Sequence, residues 1–248
     1  MFIPPIWLEA RVPGELQALG RDPVVAGVGV PHGAGEPVVL IPGYLAGDPS
    51  LATMTRWLRR LGYRTARAGI RSNVDCTTAS VDRLERRVQD VAERYGRSVA
   101  LVGQSRGGTF AAALAQRRPD LVRGLVTLGS PLVDPLAVHP LVRINIAVVG
   151  LLGTLGVPGL LSHSCLNGDC CAALRERSSA PMPDGMPFVS VYSKTDGIVD
   201  WSSCQHPDAE HVEVDASHCG MGVNPEVYRA VARALASFAE PSERAAAA

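Results

Sequence analysis

The 248-residue chain has a single lysine, Lys194, among its 24 basic residues, few aromatic residues (5%) and no net formal charge. A neutral chain without a basic stripe has no electrostatic footprint for a polyanion, so nucleic acid is not an expected partner. The opening residues, MFIPPIWLEARVPGEL, lack a basic start, a continuous apolar run of sufficient length and a small-residue cleavage site. They do not read as a signal peptide, and the expectation is a cytoplasmic protein with reduced thiols. The one long apolar stretch, Leu141 to Leu161, is interrupted by Arg143, Asn145, four glycines and Pro158, which argues against a membrane span. The six cysteines, Cys76, Cys165, Cys170, Cys171, Cys204 and Cys219, have neither the paired spacing nor the histidine spacing of a zinc site; no metal or cofactor is expected. Cys165 to Cys171 would close a small turn under oxidising conditions. No repeat or linker divides the chain, and with 46% apolar residues it suits one α/β domain over residues 1–248.

The chain is organised around VALVGQSRGG, residues 99–108. Four apolar residues ending in Val102 read as a buried strand, and small residues followed by Phe110, Leu114 and several alanines read as a helix. Gly103-Gln104-Ser105-Arg106-Gly107 lies between them. A serine at so sharp a strand-to-helix turn is held in a strained conformation, and glycines two positions to either side let strand and helix approach closely. The hydroxyl is pushed outward. The first N–H groups of the helix have no intrahelical partner, so the Arg106 N–H is free to bind a developing oxyanion. This stretch resembles the nucleophile turn of the serine lipases and esterases of the α/β-hydrolase fold.

The rest of the chain alternates strand and helix. PVVLI, Pro37 to Ile41, reads as a central parallel strand, Tyr63 to Ala68 as the next, Leu121 to Leu128 as the strand after the serine turn, then Pro187 to Ser193 and Glu210 to Asp215. Amphipathic helices are expected at Ser50 to Leu61, from Thr78 with Val81, Leu84, Val88 and Val91 on one stripe, and from Asn224, which caps a helix starting at Pro225. Before Pro37 only one short helix, Glu15 to Leu19, is expected, in a segment wrapping the domain's edge. Parallel strands joined by helices require right-handed crossovers and a doubly wound, mostly parallel sheet. The rhythm breaks between Pro131 and Phe188. Residues 132–186 are expected to form an inserted helical cap, which is where the resembling hydrolases carry their lids. The glycines and Pro158 are expected to break any long helix there, with Leu151 and Leu155 lining a substrate site.

Ligands of open α/β sheets bind beyond the carboxyl ends of the strands, and Ser105, Asp196, His218 and the turn at Tyr44 all follow such ends. Serine needs an adjacent base to act as a nucleophile, and the base needs a carboxylate to hold its tautomer. His218 is the candidate base and Asp196 the candidate acid, Ser-Asp-His being the order of the resembling family. Asp200 is the rival acid; Asp215 stands only three residues before His218. The other histidines, His32, His139, His163, His206 and His211, lack a strand-end place paired with a carboxylate. The resemblance implies that Tyr44 or Leu45, after Pro42-Gly43, supplies the second oxyanion N–H. It also implies hydrolysis of carboxylic, lipid-like esters through an acyl-enzyme. An acyltransferase, or a silent binding protein of the same fold, remains open. The expected partner is a small-molecule or lipid ester, with contact to a membrane surface through the cap. Arg106, where a small or aliphatic residue is usual, is expected to pair with Asp75 or Glu85 or to meet an anionic substrate group. A Cys204–Cys219 bridge would brace the loop presenting His218.

Overall fold

Uninterrupted aliphatic runs form the interior of the sheet. The computed structural model describes residues 3–238; the tail from Pro241, expected to be loose, lies outside the described residues. The strands are β1 (Pro37–Ile41), β2 (Arg64–Arg67), β3 (Val99–Gln104), β4 (Val122–Leu128), β5 (Phe188–Tyr192) and β6 (Glu210–Glu213). They form one six-stranded sheet in the order β2-β1-β3-β4-β5-β6, every neighbouring pair parallel. Strands β1, β3 and β5 are buried along their whole length, while the edge strands β2 and β6 expose Arg64, Arg67, Glu210 and Glu213. Charge on the outer strands protects their unpaired edges.

Alternate residues of the inner strands feed two cores. Val38 and Leu40 pack with helices α1 (Val12–Arg21), α2 (Ala52–Arg60) and α8 (Pro225–Ser237). Val39 and Ile41 point the other way, to α3 (Thr77–Tyr95) and α4 (Arg106–Arg117). The stripe Val81, Leu84, Val88 and Val91 is buried as its spacing requires. Asn224 caps α8, its Oδ1 accepting from the Glu226 N–H at 2.9 Å. The chain moves outward from β1 to β2, then returns to the other side of β1 as β3. The order of the sheet therefore reverses between β1 and β3, and a crevice opens beyond their carboxyl ends.

Two segments differ from expectation. Before β1 a 3₁₀-helix, Ile6–Arg11, runs into the ten-residue α1, both longer than the single short helix expected. Between β4 and β5 lie α5 (Pro140–Thr154), α6 (His163–Asn167) and α7 (Asp169–Ser179). Helix α5 runs unbroken through Gly150 and Gly153 and stops at Leu155, before Pro158. Gly153 serves close packing here: a Cβ would collide with the Leu161 carbonyl of the returning chain. Among the described residues no helix is long and apolar enough to cross a membrane.

The first core is pinned by Trp57, which is buried, stacks at 4.4 Å from the Tyr228 ring and donates its indole N–H to the Val24 carbonyl at 2.7 Å. Trp57→Phe removes one of that carbonyl's two donors, leaving the Gly27 N–H at 2.9 Å, and the expected loss is about 0.5–1.5 kcal/mol, read as a lower urea midpoint at an unchanged slope.

Candidate active site

Ser105 sits between β3 and α4 with φ 52° and ψ −126°, a backbone region that costs a non-glycine residue of order 1–3 kcal/mol. The surrounding packing imposes it. A Cβ on Gly107 would collide with the Ile41 carbonyl, and one on Gly103 would lie 2.5 Å from the Gly108 Cα; only glycine lets α4 seat this tightly on β1 and β3. The Ser105 N–H donates to the Leu128 carbonyl at 2.8 Å and its carbonyl accepts from the Gly108 N–H at 2.9 Å. Among the described residues the Ser105 hydroxyl has no hydrogen-bond partner and none accepts from the Arg106 N–H, while Tyr44 pairs with Asn73 in an isolated parallel bridge. Leu45 itself has φ 60°.

The loops after β5 and β6 bring Asp196 and His218 together, both buried, with Nδ1 of His218 2.7 Å from Oδ2 of Asp196. The other carboxylate oxygen of Asp196 accepts from the Ile198 and Val199 N–H groups at 2.8 and 2.7 Å. Burial disfavours the charged imidazole, but the charge and hydrogen bond of Asp196, helped by Glu9, outweigh it and hold the His218 pKa above the usual histidine value. The rival acids are engaged elsewhere. Asp200 caps the 3₁₀-turn Trp201–Cys204 by accepting from the Ser202 N–H at 3.0 Å, and Asp215 meets Arg11 in two 2.9 Å bonds. Among the remaining histidines, His139 accepts from the Leu141 N–H at the start of α5, and His32, His206 and His211 bond to backbone carbonyls.

Arg106 forms neither of the ion pairs expected for it. Its guanidinium donates to the carbonyls of Asn73 (2.8 Å) and Asp75 (2.9 Å) and to the Thr77 hydroxyl (3.0 Å), and lies 4.8 Å from the centre of the Phe110 ring. The Asp75 carboxylate takes Arg83, and Glu85 takes Arg117 and Arg118. A guanidinium so occupied has no fork left for a substrate anion; it stitches the loop before α3 to the serine turn.

Ser105 and His218 open onto one cavity of about 700 Å³. Its walls come from the β1 turn (Tyr44, Leu45), from Ile198, and from the segment between β4 and β5 (Leu136, Val142, Ile146, Leu166, Leu174). The Tyr44 hydroxyl donates to Asn145 at 2.9 Å, joining the turn to α5. Leu151 and Leu155, expected to line this space, are 54% and 72% exposed and lie outside its lining. Because α5 stays helical, they fall with Ile144 and Val148 on its outward face, while Leu141, at its start, borders the cavity. A second cleft, about 820 Å³, lies around Arg59, Arg64, Arg87 and Arg94 and contains neither Ser105 nor His218.

Cys204 and Cys219 form no bridge, and both are free thiols, as is Cys171; the side chain of Cys170 lies outside the described residues. Cys204 is buried against Tyr192 and Val199. Cys219 lines the cavity beside His218, where partial burial and the neighbouring Glu9 push its thiol up to about 12. A thiol that keeps its proton is no rival nucleophile.

Sequence reasoning missed three residues that hold the site. Gln104 donates its side-chain amide to the His218 carbonyl at 2.9 Å, and Glu9 and Glu15, from before β1, bind the loop carrying His218. Gln104 stands next to the serine and was open to suspicion; the two glutamates gave no local signal.

Residues 37–149 match a family model described as the alpha/beta hydrolase fold. No curated protein sequence matches the chain. Among solved structures it is similar to a lipase of Bacillus licheniformis in its mature form, with 16% identity, TM-score 0.59, and 86% of this chain and 96% of that one covered. It is similar also to a soluble variant of a monoglyceride lipase from Saccharomyces cerevisiae (15%, 0.59, 85% and 87%) and to a monoacylglycerol lipase of Paleococcus ferrophilus (17%, 0.58, 84% and 97%). At such identities the likeness is one of fold.

The setting of Arg106 yields a test. Arg106→Met strips partners from the carbonyls of Asn73 and Asp75, and the expected destabilisation is about 3 kcal/mol, measured by chemical unfolding. The ratio of activity on anionic and neutral esters should stay unchanged.

Proposed function

We propose that this chain, which has the alpha/beta hydrolase fold, is a serine hydrolase of carboxylic esters with a long apolar portion. The observation that carries the proposal is the convergence on one apolar cavity of a serine in a strained strand-to-helix turn and a buried histidine bonded to a carboxylate. Lipases and esterases among its structural neighbours support ester hydrolysis in general.

Ser105 Oγ attacks the ester carbonyl carbon while His218 Nε2 takes its proton. Asp196 holds the imidazole by its Nδ1 proton and stabilises the imidazolium. The serine and histidine need to come within hydrogen-bond reach only at that step, and such contacts tighten around bound substrate. The carbonyl oxygen, now an oxyanion, accepts from the Arg106 N–H, which has no other acceptor among the described residues, and from whichever of the Tyr44 and Leu45 N–H groups the bridge to Asn73 leaves open. Collapse of the intermediate expels the alcohol, which takes the proton from His218. Water, deprotonated by the same histidine, then attacks the acyl-serine and releases the acid. Residues 132–186 act as a cap over the acyl portion. The outward row Ile144, Val148, Leu151 and Leu155, each well exposed, contacts the lipid or membrane surface from which such a substrate comes.

A fluorophosphonate should label Ser105 in the native protein. Ser105→Ala should remove both the label and ester turnover, a loss on the order of a millionfold; more than about a hundredth of wild-type activity in the folded variant, far above that expectation, overturns the proposal.

The cavity walls generate a second test. With nitrophenyl esters of increasing chain length, each buried methylene should improve transition-state binding by up to about 0.8 kcal/mol until the space is full. Val142→Ala with Ile146→Ala should flatten that rise while sparing acetate esters. Leu151→Ala with Leu155→Ala should leave the profile unchanged, because those side chains face away from the cavity.

A further inference from the structure

The loops that carry Asp196 and His218 do not hold themselves in place. Their backbone N–H groups at Gly197, Ser217, His218 and Cys219 have, among the described residues, no acceptor except two carboxylates that enter from the start of the chain. Glu9, on the 3₁₀-helix Ile6–Arg11, accepts from the Gly197 N–H at 2.9 Å and the His218 N–H at 2.8 Å through one oxygen, and from the Cys219 N–H at 2.8 Å through the other. Glu15, buried on α1, accepts from the Ser217 N–H at 2.7 Å and the Ser217 hydroxyl at 2.8 Å. Arg11, between them, pairs with Asp215, which also accepts from the Thr195 hydroxyl at 2.7 Å. One short segment thus reaches both loops, and a single carboxylate spans the residue after Asp196 and the backbone of His218 itself.

We propose that Glu9 is a positioning residue for the reaction assigned to Ser105, locking the loop of the acid to the loop of the base so that His218 faces the serine in one orientation, with Glu15 holding the same loop one residue earlier. The proposal rests on the reading of Ser105, His218 and Asp196 as the reacting group. A carboxylate bonded to three backbone N–H groups restrains its neighbours far more than water would, since charge-assisted bonds are the shorter and stronger kind. Rate is sensitive to such restraint, since misplacing a reacting group by 1 Å costs roughly 100-fold.

Electrostatics adds a signature that a merely structural brace lacks. The groups facing His218 are Asp196 from the loop after β5, Glu9 from the 3₁₀-helix and the Cys219 thiol beside it; Glu15 binds Ser217 one residue earlier, and Arg11 is neutralised by Asp215 and Glu15. The Glu9 charge is among the causes that raise the His218 pKa. Removing it lowers that pKa, so the neutral, basic imidazole persists to lower pH and the acid limb of kcat/KM moves down.

The test compares Glu9→Gln, Glu9→Ala and Glu15→Gln in the full chain. Each is read by kcat and KM on a nitrophenyl ester, by the pH profile of kcat/KM, and by ring-nitrogen NMR titration of His218, which needs no turnover. Glu9→Ala should lower kcat about 100-fold with little change in KM. Glu9→Gln, which keeps an acceptor oxygen but not the charge, should retain more activity and move both the acid limb and the NMR midpoint to lower pH. Glu15→Gln should lower kcat without moving either. Should Glu9→Ala fail to fold, Glu9→Gln carries the test alone. A folded Glu9→Gln with wild-type kcat, acid limb and His218 titration overturns the proposal. Failure of the fluorophosphonate to label Ser105 in the wild-type protein overturns the underlying reading instead, and the NMR titration tells the two apart.

Discussion

The seating of helix α4 against strands β1 and β3 is the contact on which the site depends. It requires bare backbone at Gly103 and Gly107, because any side chain there would meet the main chain of α4 or of β1. The same seating drives Ser105 to φ 52°, a strain the surrounding core sustains because Phe110, Ala111 and Leu114 of α4 are wholly buried. Helix α4 therefore begins beneath the turn that follows β1, and Arg106, Tyr44 and Leu45 line one cavity. The cost in backbone energy is small beside the apolar area that α4 removes from water.

The other side of the opening is built differently. Hydrogen bonds shape the loops after β5 and β6 around their reacting side chains: Asp196 turns back on the N–H groups of Ile198 and Val199, Gln104 holds the His218 carbonyl, and Glu9 and Glu15 take the N–H groups of Gly197, Ser217, His218 and Cys219. A buried backbone N–H without an acceptor is costly, so these side chains are structural requirements of the loops before they are anything else. The nucleophile side is thus set by packing and the base side by polar contacts from three separate parts of the chain. The enclosed Arg106 is a third such device, tying the loop before α3 to the serine turn through carbonyl oxygens.

The segment between β4 and β5 joins the two sides. Helix α5 turns Leu141, Val142 and Ile146 toward the cavity and leaves Ile144, Val148, Leu151 and Leu155 outward. One helix thereby supplies an inner apolar wall and an outer apolar surface, which explains how a stretch so hydrophobic is compatible with a chain that has no membrane-spanning helix among its described residues.

Wherever physics acts over a few residues, the sequence alone determined the outcome. Unbroken aliphatic runs placed β1, β3 and β5; apolar spacing placed α3; Asn224 before Pro225 placed the start of α8; the strand-glycine-serine-glycine-helix pattern placed the turn of Ser105. The pairing of Asp196 with His218 followed from the resemblance, with Asp200 left as the rival until the fold set Asp200 to capping the turn after it. Tertiary structure alone decided what depends on residues far apart in the chain. Gly150 and Gly153 read as helix breakers, yet α5 continues through them because the chain returning at Leu161 packs on the bare backbone. Leu151 and Leu155 read as substrate-facing, yet an intact helix rotates them outward. Arg106 read as half of an ion pair, and backbone carbonyls took it. Glu9 and Glu15 had no local signal at all, since a glutamate in an opening turn looks like any solvated charge until the fold brings it, across some 200 residues, to the unpaired N–H groups of the histidine loop.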